Sequence, residues 1–423
     1  MLTLKKLRED PESVIAKLKI KNFDARPIVE KVLELDSRRR ALQTQTDELL
    51  SKQKQKAAEI GSLMKQGLKD QAEIAKKAVA DMKAKSTELM QQMEEVGGEL
   101  EKNMVLMPNT PCELIKPGKG AEDNEIVKQG GPDVILPEGA LPHWDLAKKY
   151  SLIDFDLGVK ITGAGFPVYR DKGAKLQRAL INFFLDCNTA AGYMEVEPPV
   201  MVNAASGFGT GQLPDKEAQM YHAPLDDFYM VPTAEVPVTN IFRDVILQNG
   251  DFPQKLTAYT PCFRREAGSY GKDVRGLNRL HQFDKVEIVR IEKPENSYQA
   301  LDEMVAHVEG IVDKLGLKYR ILRLCGGDMS FTSAITYDFE LWSAAQGRWL
   351  EISSVSNFEA YQANRLHLRY KDENGNIQLC HTLNGSSLAL PRVVAALLED
   401  NQTPEGIIIP EILRPYTGFD KID

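Results

Sequence analysis

The chain has 423 residues, of which 43% are hydrophobic and 27% are charged, and its formal net charge is −8. This composition is typical of a globular protein, and the length suggests two or three domains. The longest apolar run, near residues 393–398, is far shorter than the ~20 residues of a membrane-spanning helix, and the charged start of the chain lacks the apolar core of a signal peptide. We therefore expect a cytoplasmic protein without a membrane attachment.

Residues from Pro27 to about Met107 are polar, nearly free of aromatics and without proline after Pro27. Their less polar positions recur three and four apart, which is the heptad period of a coiled coil. Gly67-Leu68-Lys69-Asp70 can reverse the chain midway, so we predict two antiparallel helices forming an arm roughly 57 Å long at ~1.5 Å per residue. The first seam comprises Val32, Leu35, Arg39, Leu42, Thr46, Leu49, Gln53, Lys56, Ile60 and Leu63, and the second Ala75, Val79, Met82, Ser86, Leu89, Met93, Val96 and Leu100.

The predicted arm carries a surplus of positive charge. From Arg38 to Lys85 there are twelve Lys and Arg against six Asp and Glu, which is +6, so the remainder of the chain carries −14. A coiled coil most often serves oligomerisation, and solvated charge could produce the same surplus. Because Arg39, Gln53 and Lys56 weaken the first seam and the cations cluster, we favour a phosphate backbone as the partner of the arm.

The rest of the chain predicts a different architecture. Residues 108–142 are rich in Gly, Pro and charge, as linkers are. Beyond them, strand patterns rich in Val, Ile, Phe and Tyr do not alternate regularly with helix patterns such as Lys175–Ala190, which favours a mainly antiparallel sheet with flanking helices. The fold class is therefore α+β, with a helical domain over 1–107, a linker over 108–142 and a sheet-containing domain over 143–423.

The common nucleotide and metal motifs are absent from the sequence. It contains no GxxxxGK[ST] and no complete GxGxxG, which disfavours the parallel-sheet nucleotide folds. The five cysteines form no CxxC pair and the six histidines show no HExxH or HxxxH spacing. We expect no disulfide framework and no zinc, and we expect the cysteines to be small core residues.

The stretch TPCFRREAGSYGKDVRGLNRLHQFDKVE, Thr260–Glu287, indicates two strands joined by a long loop. A period of two places Cys262, Arg264 and Glu266 on one face of the first strand, and Phe283, Lys285 and Glu287 on one face of the second. The loop, about residues 267–279, carries Lys272, Arg275 and Arg279 among glycines, and long ordered loops are usually functional.

These residue types together suit a purine nucleotide. Arginine binds phosphate oxygens through its planar fork, an aromatic ring stacks on a flat base, and glutamate accepts from an amine or ammonium group. The alternative is the solvated face of a sheet. That alternative does not account for Phe283 among the charges or for a long cationic loop.

The same stretch resembles motif 2 of the bacterial seryl-tRNA synthetases, which are class II aminoacyl-tRNA synthetases, and the resemblance extends over almost the whole chain. The helix from Lys175 into the strand near Pro199 is similar to the dimer-forming motif 1. In motif 3, Ser387 and Leu390-Pro391 stand where many relatives have glycine and Val-Gly. Four further segments resemble the family: GTGQLP (Gly209–Pro214) the mobile loop, MVPTAEVPVTN (Met230–Asn240) the serine-binding TxE segment, LEISSVSNFEAYQANR (Leu350–Arg365) the ATP and magnesium segment, and TLNGSSLALPRVVAALLEDNQ (Thr382–Gln402) motif 3.

The resemblance implies roles for individual residues. Arg264 would hold the α-phosphate and the serine carboxylate, Phe283 would stack on adenine, Glu266 would read its edge, and Arg392 would hold the γ-phosphate. Singly, each residue could instead be structural, and which acid takes the serine ammonium and which its hydroxyl stays open. The implied ATP residues are Arg264, Arg265, Glu266, Phe283, Glu351, Ile352, Ser353, Ser354 and Arg392, with Arg264 and Arg392 catalytic; the implied L-serine residues are Thr233, Ala234, Glu235, Glu287 and Ser386; the implied Mg²⁺ ligands are Glu351 and Ser354.

As a whole, the resemblance implies a homodimer that activates L-serine with Mg-ATP to seryl-adenylate and transfers serine to tRNA(Ser), with tRNA(Sec) as a second acceptor that the family permits. The predicted arm stands where the family has its tRNA-binding arm. One rival is an enzyme of the same fold that charges a carrier protein, but such proteins lack the long arm. The other is a catalytically silent RNA-binding or coiled-coil protein, which the complete set of site residues disfavours.

Overall fold

A computed structural model describes residues 1–215, 218–266 and 275–423. The chain divides into two compact units: an arm unit of residues 2–19 and 23–108, and a sheet unit of residue 1, residues 20–22 and residues 109–423. The helices are α1 (Leu4–Glu9), α2 (Pro11–Ile20), α3 (Arg26–Lys65), α4 (Lys69–Met104), α5 (His143–Lys149), α6 (Phe155–Ile161), α7 (Asp171–Ala190), α8 (Ala204–Thr210), α9 (Glu235–Thr239), α10 (Ser297–Leu315), α11 (Ala360–Leu366), α12 (Leu390–Asp400) and α13 (Arg414–Thr417). The strands are β1 (Glu125–Gly130), β2 (Ile153–Asp154), β3 (Val168–Tyr169), β4 (Met194–Glu195), β5 (Met201–Asn203), β6 (His222–Ala223), β7 (Phe228–Met230), β8 (Ile246–Leu247), β9 (Gln254–Phe263), β10 (Gln282–Glu292), β11 (Tyr319–Arg323), β12 (Ile335–Ser343), β13 (Arg348–Asn357), β14 (Arg369–Lys371), β15 (Ile377–Leu379), β16 (His381–Ala389), β17 (Gln402–Thr403), β18 (Gly406–Ile408) and β19 (Lys421–Ile422).

The arm unit contains the predicted helical hairpin. α3 has 40 residues and α4 has 36, and only Gln66–Leu68 separates them. Gly67 has φ +77°, a left-handed conformation that costs glycine little. Every residue of the two predicted seams is buried or half-buried, so the heptad prediction is confirmed.

A buried carboxylate organises the base of the arm. Asp36 is fully buried in α3, and the guanidinium groups of Arg8, Arg39 and Arg40 lie 3.6, 3.1 and 3.0 Å from its oxygens. Arg39 therefore pairs locally, although its Nε is buried without a hydrogen-bond partner among the described residues. That Arg39 weakens the seam stays a prediction. Of the three consecutive arginines Arg38, Arg39 and Arg40, Arg38 alone makes no salt bridge within the described part of the chain.

The sheet unit is built on a sheet with the strand order β1-β11-β12-β13-β16-β10-β9-β4. Its neighbouring strands are antiparallel, except that β4 runs parallel to β9. The predicted α+β class with a mainly antiparallel sheet is confirmed.

Strand β10 shows how the sequence assigns the two faces of this sheet. Val286 and Ile288 join a large core with α7, α10 and α12, whereas Val289 and Ile291 join a smaller core with α9 and α11. Because successive side chains of a strand point to opposite faces, Glu287 lies on the face of Val289 and Ile291. Glu287 of the candidate site therefore lies on the face opposite the large core, whereas Phe283 is half-buried and packs against that core.

The segment predicted as a linker contributes a strand. β1 pairs with β11 at the edge of the main sheet, and Lys128 Nζ lies 2.6 Å from Glu309 Oε1. Residues 125–130 are therefore part of the sheet rather than a free connection, while the boundaries at 107 and 142 stay predictions. All five cysteines are free thiols, and the expected core position is confirmed for Cys262, Cys325 and Cys380, which are buried, whereas Cys112 and Cys187 are half-buried. Among the described residues, no helix combines the length and apolar character that a membrane crossing requires.

Candidate active site

Strands β9 and β10 pair in a register that confirms part of the predicted face. Phe283 lies directly opposite Cys262, so their side chains project from the same side of the sheet. However, β9 ends at Phe263, and Glu266 has φ +47°. The prediction that the alternation continues to Glu266 is therefore wrong, because the strand has already ended there.

Arg264 follows directly after β9 and stacks on Phe283. Its Cζ lies 5.2 Å from the centre of the Phe283 ring. Its Nε donates to the carbonyl oxygen of Pro232 at 3.3 Å, and its backbone N donates to that of His281 at 2.9 Å. The cation–π contact and these hydrogen bonds hold an arginine and an aromatic ring together, as the sequence predicts.

Glu266 and Arg265 have different surroundings. Glu266 Oε2 forms an ion pair of 2.8 Å with Arg279, which tethers the two ends of the motif 2 loop. The Cζ of Arg265 lies 5.5 Å from the ring centre of Tyr221. The structure thus places Arg265 on Tyr221 and does not bring it to Phe283.

Of the cationic loop, residues 275–279 are among those that the structure describes. Lys272 lies outside the described residues. The guanidinium of Arg275 stacks on Trp144, with its Cζ 4.5 Å from the ring centre. Arg275 is therefore engaged with an aromatic side chain in this structure.

The predicted serine site contains a buried ion pair between Lys285 and Glu287 of β10. Glu287 Oε2 lies 2.6 Å from Lys285 Nζ and accepts a 3.2 Å hydrogen bond from Thr233 Oγ1. The side chains of Glu287 and Lys285 are only 3% and 7% exposed. The structure thus joins Thr233 to Glu287, 54 residues away in sequence.

The second acid, Glu235, begins α9 beside this pair. Its Oε1 accepts a 2.6 Å hydrogen bond from Gln362 Nε2, and Gln362 Oε1 accepts one of 2.6 Å from Thr382 Oγ1. Burial first, and then the charge of Glu287, raise the pKa of Glu235 to about 7, although Gln362 and Lys285 act in the opposite direction. The two acids therefore have distinct electrostatic environments.

Strand β16 adds polar groups to the same pocket. Ser386 is buried and lies opposite Glu287 in the register of β10 and β16. Asn384 is also buried and close enough to Glu235 to lower the pKa of that carboxyl. Its Nδ2 makes no full hydrogen bond within the described part of the chain. A buried donor of this kind is available to a polar ligand.

Three predicted residues direct their side chains into the protein. Ala234 belongs to the smaller core and Ile352 to the large core. Ser353 Oγ donates to the carbonyl oxygen of Ser386 at 2.6 Å. These side chains support the backbone of the site rather than lining it.

The predicted metal ligands lie on β13. Glu351 has a half-exposed side chain. Ser354 Oγ donates to Oδ1 of Asp338, a carboxyl whose pKa is raised by burial and by the charge of Glu351. No three His, Cys, Asp or Glu side chains of the described residues cluster as a metal site. Two oxygen ligands, one of them on a half-exposed side chain, fit Mg²⁺, which seldom has an all-protein cage and is usually bound together with phosphate and water. The absence of zinc stays a prediction.

Arg392 reaches this site from α12. Its NH1 donates to the carbonyl oxygen of Glu351 at 2.7 Å and its Nε donates to that of Asn278 at 3.0 Å. Burial lowers the pKa of Arg392, and the nearby charge of Arg264 acts in the same direction. Pro391 occupies the first turn of α12, where its missing N–H costs no hydrogen bond. Motif 3 thus brings its arginine to motif 2.

Four residues of this site are not among the predicted ligands: Lys285, Asp338, Gln362 and Asn384. The sequence could have indicated two of them. Lys285 and Asn384 each precede a predicted ligand by two residues, and the two-residue period of a strand places them on the same face as that ligand. Asp338 lies opposite Ser354 only through the pairing of β12 with β13. Gln362 meets Glu235 across 127 residues, and no local pattern indicates that contact.

Comparisons with known proteins agree with this geometry. A model of the seryl-tRNA synthetase N-terminal domain matches residues 1–111, and one of the tRNA synthetase class II core domain (G, H, P, S and T) matches residues 221–401. The serine–tRNA ligases of Salinibacter ruber and Akkermansia muciniphila are 49% and 46% identical, each over 100% of this chain and 99% of the relative. The crystal structure of seryl-tRNA synthetase from Pyrococcus horikoshii complexed with ATP is 30% identical with a TM-score of 0.93, covering 100% of this chain and 99% of that one. This chain belongs to the serine–tRNA ligase family of class II aminoacyl-tRNA synthetases.

Proposed function

We propose that this protein activates L-serine with Mg-ATP to seryl-adenylate and transfers the serine to tRNA(Ser). The observation that carries the proposal is that Glu287 and Phe283 lie on the same strand, β10, with the second acid, Glu235 of α9, near Glu287 and with Arg264 stacked on Phe283. The acids suit the ammonium and hydroxyl groups of serine, and the stacked pair suits a nucleotide.

The first step is an in-line displacement at phosphorus. A carboxylate oxygen of serine attacks the α-phosphorus of ATP, a new P–O bond forms, and the bond to the pyrophosphate oxygen breaks. Arg264 would contact the α-phosphate and the serine carboxylate, and Arg392 the γ-phosphate. Positioning and charge neutralisation supply most of the catalysis in such a reaction.

The remaining ATP contacts follow from the same arrangement. Phe283 would stack on adenine, with Arg264 covering the ring from one side. Glu266, which is already held by Arg279, would accept a hydrogen bond from the adenine amine. Glu351 and Ser354 would hold Mg²⁺, which neutralises phosphate charge when it is bound.

Selectivity for serine would depend on satisfied hydrogen bonds. Thr233, Ser386 and Asn384 add polar groups to the pocket of the two acids. A buried pocket that hydrogen-bonds a hydroxyl rejects alanine by about 10⁴ or more, because its polar groups would be left unpaired. Threonine must be rejected by its extra methyl group.

The acceptor would bind the arm, and the second step transfers the acyl group. A hydroxyl of the tRNA attacks the carbonyl carbon of seryl-adenylate, and AMP leaves. The arm suits an RNA backbone because Arg38, Lys52, Lys54, Lys69 and Lys77 make no salt bridge with any described residue. A homodimer in the cytoplasm, with tRNA(Sec) as a further acceptor, completes the proposal.

ATP–pyrophosphate exchange with each amino acid in turn, followed by charging of total tRNA, tests this function. We expect exchange with serine alone and charging of serine-accepting tRNAs. Exchange with no amino acid would refute the enzyme assignment. Serine exchange without tRNA charging would instead favour transfer to a carrier protein, and purified tRNA(Sec) decides the second acceptor.

A further inference from the structure

A buried histidine holds the second end of the motif 2 loop. His143 begins α5, and its Nδ1 lies 2.8 Å from Oε1 of Glu399, which also accepts from the backbone N of His143 at 3.0 Å. On the opposite side of the ring, the backbone N of Leu277 donates to Nε2 at 2.9 Å. Neither His143 nor Glu399 is exposed to solvent. The reaction proposed above gives neither of them a role.

These contacts define the protonation of the ring. Because the backbone N–H of Leu277 can only donate, Nε2 of His143 must accept, and the ring proton lies on Nδ1 facing Glu399. Burial opposes ionisation of Glu399, but hydrogen bonds from His143 and Ser343 outweigh it and lower the pKa of Glu399. An ionised Glu399 therefore stabilises this tautomer.

Gly276 brings the backbone against the same ring. It has φ +65°, and a Cβ at this position would lie 2.3 Å from His143 Nε2. A side chain would displace either the loop or the ring. The glycine is thus explained by the approach to His143 rather than by general loop flexibility.

The residues that follow contact two side chains proposed to hold ATP, Arg392 and Glu266. The carbonyl oxygen of Asn278 accepts from Arg392 Nε at 3.0 Å, and Asn278 Nδ2 donates to Gln346 Oε1 at 3.0 Å. Arg279 forms the 2.8 Å ion pair with Glu266. A shift of the backbone at residues 276–279 would therefore redirect Arg392 and Arg279 together.

We propose that His143, oriented by Glu399, is a positioning residue for ATP. Its hydrogen bond to Leu277 fixes residues 276–279, and these position Arg392 for the γ-phosphate and, through the ion pair of Arg279, Glu266 for adenine. The inference rests on the proposed ATP-dependent activation of serine. It deepens that function by giving a role to a residue that contacts no substrate.

Two substitutions distinguish the contribution of Nε2 from that of Nδ1. In His143→Gln the side-chain oxygen reaches the position of Nε2 and can accept from Leu277, whereas in His143→Asn the amide reaches only the position of Nδ1. We expect His143→Asn to raise KM for ATP in ATP–pyrophosphate exchange by about tenfold, which corresponds to about 1.4 kcal/mol, with KM for serine within about twofold. His143→Gln should raise KM for ATP by less than about threefold.

Leu146→Ala is the matched control, because it opens a cavity in the same helix and leaves the His143 hydrogen bonds in place. It should lower stability without changing KM for ATP. An unchanged KM for ATP in His143→Asn, or equal changes in both KM values, overturns the inference. If the unsubstituted protein shows no exchange at all, the proposed function itself fails, which is a distinguishable result.

The unsubstituted protein provides a test that does not depend on folding of a variant. With ¹⁵N-labelled histidine, the His143 ring should show a protonated Nδ1 and an unprotonated Nε2, and the signals are assigned by their loss in His143→Gln. A ring protonated at Nε2 would overturn the inference, since Leu277 could not then donate to it.

Discussion

The ammonium of Lys285 lies 2.6 Å from Glu287 Oε2, and both side chains are almost completely buried. The hydroxyl of Thr233 donates to the same oxygen at 3.2 Å. The proposed serine pocket therefore contains one cation and two acids, Glu287 and Glu235, before any substrate enters. The positive charge of the serine ammonium group would then balance the negative charge of the second acid. This explains why a site for one amino group has two carboxylates.

Removing Lys285 alone should be costly for folding. Lys285→Met keeps most of the side-chain volume but leaves Glu287 buried without its cation, and the loss of one partner of a buried pair destabilises by about 3–5 kcal/mol. The double variant with Glu287→Gln removes both charges and should recover most of that loss. Urea unfolding of the two single variants and the double variant gives the coupling free energy. Additive effects of the two substitutions would show that the pair is not coupled.

Serine binding should depend on the protonation of Glu235. The pKa of Glu235 is about 7, raised chiefly by burial and by Glu287, so the carboxyl ionises as the pH rises through neutrality. At saturating Mg-ATP, we expect KM for serine to fall about tenfold between about pH 6 and about pH 8. Glu235→Gln should bind serine weakly with a flat pH profile. A profile that keeps its slope in this variant would assign the titration to another group.

Ionisation of Glu235, which should favour serine binding, should lower the stability of the folded protein. Because the folded-state pKa of Glu235 is raised, its stabilising effect is present at low pH and is lost as the pH rises through about 7. Glu235→Gln should therefore gain stability relative to the unsubstituted protein above neutral pH. Denaturant unfolding of both proteins at about pH 5 and about pH 8 measures this difference.

Local periodicity predicts the parts of this structure that depend on neighbours in sequence. The heptad seams give the hairpin of α3 and α4, and the two-residue period places Phe283 with Glu287. Contacts between distant segments leave no such signal. The heptad pattern does not indicate that Asp36 is buried in α3 and paired with Arg39. The Gln362 contact with Glu235 and the His143 contact with Leu277 span 127 and 134 residues, and only the assembled sheet unit brings these residues together.

Phe283 can be tested as the stacking surface for adenine. It is half-buried under Arg264, so Phe283→Ala should raise KM for ATP by about tenfold or more, because stacking of a base on an aromatic side chain is worth about 1–3 kcal/mol. KM for serine should change little. Phe283→Leu is the control, since it restores side-chain volume without the ring and should leave KM for ATP high. A variant that unfolds instead would assign Phe283 to the core.

Shortening the arm should separate serine activation from tRNA charging. Deleting residues 53–83 and joining Lys52 to Ala84 through a short Gly-Ser linker retains most of the buried seam residues, including Leu42 and Leu89, and leaves the sheet unit unchanged. We expect serine-dependent ATP–pyrophosphate exchange within about twofold of the intact protein. Charging of tRNA should fall by at least about a hundredfold, because three of the five cations proposed to contact the phosphate backbone, Lys54, Lys69 and Lys77, are removed.

Single charges on the arm provide a finer test of the same interface. Lys52→Ala and Lys77→Ala remove cations that make no salt bridge with any described residue, whereas Lys56 and Lys76 pair with neighbouring glutamates at 2.7 and 2.6 Å. We expect the first pair of variants to raise KM for tRNA and to reduce its salt dependence, with the slope falling by about one for each cation that no longer neutralises a phosphate. Lys56→Ala and Lys76→Ala should have smaller effects, because their ammonium groups are already neutralised. Charging that is unchanged after deletion of residues 53–83 would refute the role of the arm, since no phosphate contact along that segment could then contribute to tRNA binding.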